Sequence, residues 1–170
     1  MKKIIIWAAV LILAGCSPVG KDCVAVCGNG EVRILDMSAS DGRDVKEVWS
    51  WCKDDPSVSL PEGYDRYLHH IDDCKFVDGN TKLLLTASGN GMVLLDIETK
   101  EVLTYAHVPM AHSADLLPGG RVAVALSTHK KGNALEVYDI DKPEKTIIRD
   151  SLYSGHGVVW NASRQSLYAL

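Results

Sequence analysis

Three side chains with metal-binding or acid–base chemistry recur at a regular interval: Asp72, His112 and His156, separated by 40 and 44 residues. Neutral imidazole binds divalent metals and titrates near neutrality. Two imidazoles and a carboxylate could therefore hold a metal ion, or one histidine could act as the base of a lyase or hydrolase. Lys75, Ser113, His129 and Lys130 lie close by in the chain and supply further donors. With them, the same constellation could bind an anionic or polyhydroxylated ligand such as a glycan, and the scaffold as a whole could equally take a protein partner. A structural role competes with both: histidine and aspartate side chains also bond neighbouring backbone and tie repeated units together. No Gly-x-Ser-x-Gly elbow and no His-Glu-x-x-His helix occurs in the sequence.

Whether residues forty apart can meet depends on the elements that carry them. After residue 21 the chain is a succession of short runs rich in Val, Leu, Ile and Tyr, broken by Gly, Asn, Asp and Pro. That pattern predicts an all-β fold. The runs also repeat as a set. Val24-Ala25-Val26-Cys27-Gly28-Asn29-Gly30 leads to a second run ending at Asp36. Leu84 to Gly91 leads to one ending at Asp96, and Val122 to Asn133 to one ending at Asp139. Four strands over roughly 40–45 residues is the period of a propeller blade. In such a ring the inner strands line a central channel, and the seven polar residues would converge at one channel mouth. In a β-sandwich or solenoid, the competing architectures, they would scatter.

The blade count predicts an incomplete β-propeller of about three and a half four-stranded blades over residues 22–170. Three strands appear in the first unit, four in the second and third, and the fourth stops mid-strand. The expectation is a fragment of a longer propeller, with a loop or short helix between Lys53 and Leu68.

The N-terminus carries a separate message. Lys2 and Lys3 precede an uncharged run from Ile4 to Ala14. Eleven residues are too few for a bilayer span, which needs roughly 20, so residues 1–15 read as a signal peptide. Leu13-Ala14-Gly15-Cys16 resembles the lipobox of bacterial lipoproteins. The resemblance implies lipidation at Cys16, with 16–21 as a linker, and a membrane partner through that anchor. Ser17 in place of Asp implies the outer membrane, and the periplasmic face is the expected side. The chain has 18 basic against 22 acidic side chains. Loss of Lys2 and Lys3 with the signal makes it more acidic, which argues against a nucleic-acid partner. Cys23, Cys27, Cys52 and Cys74 remain, as buried free thiols or with one disulfide. Cys23 and Cys27 are about 13 Å apart along one strand and cannot bridge each other.

From Trp49 onward the sequence resembles the DUF6528 family of Bacteroides-type lipoproteins. The resemblance rests on Trp-Ser-Trp at 49–51, Leu-Pro-Glu at 60–62, Asp-Asp-Cys-Lys at 72–75, Ala-His-Ser at 111–113, Leu-Leu-Pro-Gly-Gly at 116–120, Ser-Thr-His-Lys-Lys-Gly at 127–132 and the run from Asp150 to Trp160. It implies a β-propeller related to quinoprotein-like and WD40-type folds, in members about twice as long, and implies no reaction or cofactor.

Overall fold

A computed structural model describes residues 19–170. The signal-peptide and lipidation readings, at 1–15 and Cys16, lie outside the described residues. Within them the fold is all-β, with a single 3₁₀ turn at Asp65–Tyr67.

The strands form four antiparallel meanders in chain order. The first sheet holds β1 (Cys23–Gly28), β2 (Glu31–Asp36) and β3 (Lys46–Cys52). The second holds β4 (Ile71–Val77), β5 (Lys82–Ala87), β6 (Gly91–Asp96) and β7 (Val102–His107). The third holds β8 (Ala111–Leu117), β9 (Arg121–Leu126), β10 (Ala134–Asp139) and β11 (Lys142–Ser151). The fourth holds β12 (Val158–Asn161) and β13 (Ser166–Ala169). Strand β1 packs on β4, β4 on β8, and β8 on β12. β1 corresponds to β5 and β9, since each leads through a tight turn into the next strand. Among the described residues the first sheet therefore has no counterpart of β4 and β8, as the unit count predicts.

The sheets stack face to face in series, and side-chain alternation divides each central strand between two cores. In β5 and β6, Leu83, Leu85, Val93 and Leu95 point into the core shared with the first sheet. Leu84, Met92 and Leu94 point into the core shared with the third. Likewise Val122, Val124 and Leu126 face the second sheet, while Ala123 and Ala125 face the fourth. Burial on both faces explains why these strands read as unbroken apolar runs. The two outermost faces of the series carry uncovered apolar side chains: Val24, Val26 and Val48 at one end, Val159 and Tyr168 at the other.

The recurrent aspartates at 36, 96 and 139 are turn residues. Asp36 Oδ1 accepts the N–H groups of Ser38 and Ala39, Asp96 Oδ1 that of Thr99, and Asp139 Oδ1 that of Asp141. Asx turns of this kind end a strand and reverse the chain. The Ser38 hydroxyl and the Ala39 amide hold the Asp36 carboxyl below the ordinary carboxylate range, and the Thr99 amide does the same for Asp96.

The long connection before β4 is fixed by Tyr64 and Leu68, both buried. The Tyr64 hydroxyl lies between strands β6 and β7. It accepts the Met92 N–H at 3.2 Å, donates to the Ala106 carbonyl and lies 3.0 Å from the Met92 carbonyl. Burial pushes this phenol well above its ordinary pKa. Tyr64→Phe leaves those backbone groups unpaired in the core, and should lower stability by about 2 kcal/mol in urea denaturation.

Candidate functional site

Asp72 and His112 occupy equivalent positions, each the extra residue of a bulge. The register of β4 on β5 steps from Ile71–Ala87 to Asp73–Thr86, and that of β8 on β9 from Ala111–Leu126 to Ser113–Ala125. A bulge re-aims the inserted side chain. His156 stands two residues ahead of β12, its amide bonded to the Leu170 carbonyl at 2.8 Å.

The three do not become one cluster. The Asp72 carboxylate turns back onto its own sheet and accepts the Ser88 N–H. The rings of His112 and His156 do meet, edge to face, with centroids 4.8 Å apart. The Nδ1–H of His156 donates to the Ser154 carbonyl, which leaves Nε2 as an acceptor 3.5 Å from the Ser127 hydroxyl. Nε2 of His112 is buried without a hydrogen-bond partner. The expectation of a metal set formed by Asp72, His112 and His156 is thus corrected: Asp72 is committed to closing its bulge. Among the described residues, no three His, Cys, Asp or Glu side chains lie where a metal could be held.

Lys75 and Ser113 come together in a different way. The Lys75 ammonium donates to Ser113 Oγ at 2.8 Å, the Ala114 carbonyl at 3.0 Å and the Val158 carbonyl at 2.6 Å. Asp73 Oδ2 lies 3.1 Å away. Ser113 Oγ donates to Asp73 Oδ2 at 2.7 Å and accepts the Val158 N–H at 3.3 Å. An ammonium has three protons, and all three are used. One lysine on β4 therefore ties together the unpaired edges of β8 and β12. The Asp115 carboxylate extends the seam by accepting the Trp160 N–H at 2.6 Å.

His129 and Lys130 lie apart from this seam. His129 is exposed and bonds only within its turn: Nδ1 accepts the Lys131 N–H at 3.1 Å and its carbonyl the Gly132 N–H at 3.0 Å. Lys130 lines a groove between β7 of the second sheet and β10–β11 of the third, a cavity of about 1200 Å³.

Sequence reasoning did not find this groove. One wall carries Tyr67, Tyr105 and His107. The Tyr67 and His107 rings meet edge to face at 4.8 Å, and Tyr64 packs against Tyr105 at 4.9 Å. Leu103, Tyr105 and His107 alternate along the exposed face of β7, a period-two signal visible once that run is taken as an edge strand. The other wall is organised by Glu136, buried on β10. Its carboxylate accepts from the Arg149 guanidinium and the Tyr138 hydroxyl, and Arg149 also donates to the Lys131 and Gly132 carbonyls at 3.0 Å. Burial and the bond to Glu136 push the Tyr138 phenol above its usual range. A buried carboxylate needs such a partner. The ammonium groups of Lys130 and Lys131 have no hydrogen bond or ion pair among the described residues. Thr104 Oγ1 donates to the Ile140 carbonyl at 2.8 Å and sets the alignment of the walls. That alignment places the two lysines at the His107 end and Asp141 and Glu144 at the Leu103 end.

Comparison with known proteins agrees with the fold and is silent on chemistry. A hydrazine synthase chain of Kuenenia stuttgartiensis matches with a TM-score of 0.60 and 18% identity, over 90% of this chain and 39% of that one. The chain thus spans about two fifths of the length of that relative. It is one of 439 matching chains of solved structures, and a fold so widely used does not specify a function. No curated protein matches the sequence. Residues 22–170 match the model of a family of unknown function, DUF6528, and the chain belongs to that family.

Proposed function

We propose that this chain is an exported, lipid-anchored binding protein, in which the four sheets are blades of a β-propeller and the groove between the second and third takes an acidic saccharide. The observation that carries the reading is the groove itself: tyrosine rings on one wall, and at one end two ammonium groups without partners among the described residues. Pyranose rings present C–H faces that pack on aromatic side chains, and their hydroxyls need donors and acceptors close by. A sugar carboxylate would supply the charge that Lys130 and Lys131 lack. Arg149 is less suited, since its charge is paired with the buried Glu136 carboxylate and three of its five N–H donors go to Glu136 and the Lys131 and Gly132 carbonyls.

The blade reading draws support from the serial stacking, from the Lys75 seam along the first strands, and from the uncovered apolar faces at both ends of the series, which further sheets of a ring would cover. The anchor reading rests on the lipobox-like Leu13-Ala14-Gly15-Cys16, with the periplasmic face of the outer membrane as its site. A second reading, a saccharide lyase or hydrolase, is favoured by the unpartnered His112 Nε2 beside His156. Turnover of an acidic oligosaccharide that is lost in His112→Ala would establish it.

Isothermal titration with an oligogalacturonate and with a neutral oligosaccharide of equal length tests the binding reading. The acidic ligand should bind more tightly. Lys130→Ala combined with Lys131→Ala should weaken it about tenfold, or roughly 1.4 kcal/mol, with little effect on the neutral ligand. Equal affinity for both ligands in the wild type, or no change in the double variant, would refute it.

A further inference from the structure

We propose that Cys27 and Cys74 form a disulfide that staples the first sheet to the second. Cys27 lies on β1 and Cys74 on β4, strands of different sheets that pack side by side. Both side chains are half-buried against the core shared by those sheets. Their thiols are close enough that each perturbs the ionisation of the other. The positions are distant in sequence, so the bond would close a long loop, the case in which a cross-link restricts the unfolded chain most. It would also secure the sheet that needs it most: the first is covered on one face only, and its strand β1 has one unpaired edge.

The geometry gives the two sulfurs different parts in the reaction. The neighbouring Cys74 thiol holds the Cys27 thiol below its ordinary range, while Cys27 and burial push Cys74 up. Cys27 is therefore the nucleophile toward a disulfide oxidant such as oxidised glutathione. Its thiolate attacks one sulfur of the oxidant, forming a mixed disulfide and releasing one thiol. Cys74 then gives its proton to water and attacks the Cys27 sulfur, and the second thiol leaves. The protein loses two hydrogens and two electrons, and the oxidant becomes two thiols. The step needs no reading of the groove.

The test uses the full chain with Cys16, Cys23 and Cys52 replaced by serine, so that Cys27 and Cys74 are its only thiols. The reduced protein is equilibrated with oxidised glutathione and examined by intact mass, thiol alkylation and thermal unfolding. The expected product has lost two hydrogens, takes up no alkylating agent, and melts about 5 °C or more above the reduced protein. In the otherwise wild-type chain, fragmentation after digestion should locate the same pair. A lasting glutathione adduct on Cys27, two thiols that remain alkylatable, or a bond joining a different pair in the wild-type chain would each overturn the proposal.

Discussion

Gly132→Ala should cost about 3 kcal/mol or more of folding stability. A Cβ at this position would lie 2.0 Å from the Ser127 carbonyl oxygen, and 3.1 Å and 3.2 Å from the Cβ and N of His129. The nearest atom is backbone and cannot rotate away. That carbonyl accepts the Asn133 N–H at 2.9 Å, and the Gly132 carbonyl is one of the Arg149 acceptors. Any shift that relieves the clash loosens the turn and the clamp on the buried Glu136 carboxylate together. Since small domains have only about 5–15 kcal/mol of stability in all, the variant should unfold at a far lower urea concentration. Gly28→Ala is the control, because nothing lies within 4 Å of its added methyl group. Similar urea midpoints for the two variants would show that the turn at Gly132 is not packed as described.

The second large effect is expected at Lys75. Lys75→Met keeps the aliphatic stem and removes the ammonium. The Ala114 and Val158 carbonyls and Ser113 Oγ then lose their shared donor, and Asp73 loses its counter-charge. Hydrogen bonds to a charged group contribute roughly 1.5–3 kcal/mol each, but Lys75 and Asp73 remain about a quarter exposed. Discounting for that solvation leaves a loss of about 3 kcal/mol. Hydrogen exchange should show it most sharply at the Val158 and Trp160 amides, which the Ser113 and Asp115 side chains hold. Full stability combined with lost saccharide binding would instead make Lys75 a ligand residue.

The fold was legible because burial on both faces leaves a plain record. Leu83-Leu84-Leu85 and Val122-Ala123-Val124-Ala125 can only be strands sandwiched between sheets, and Asn29-Gly30 adopts the positive φ angles that its turn requires. The equivalence of Asp72 and His112 was legible too, since both stand at the head of a first strand. What could not be read was the direction of each side chain. A one-residue bulge sends Asp72 to the Ser88 amide and His112 toward His156, and with a single paired residue ahead of the bulge the shift in alternation has too little sequence to show in. Lys75 looked like a ligand donor because a charged residue on an inner strand has no obvious partner in sequence. Its partners are carbonyls of strands roughly forty and eighty residues away, and backbone acceptors are invisible to residue type. The groove was missed for a related reason. Its walls come from Tyr105 of β7 with Tyr67 of the preceding turn, and from Glu136 of β10 with Lys130 of the turn before it, and only the stacking of the sheets makes them face each other.

Where an acidic saccharide settles on the protein decides between groove and channel mouth. Amide chemical-shift changes on titrating the ¹⁵N-labelled protein with an oligogalacturonate should cluster at residues 103–109 and 129–133, with those at 111–113 and 154–157 unmoved. Changes confined to the His112–His156 pair, or none at saturating ligand, would contradict the assignment of the groove as the binding site.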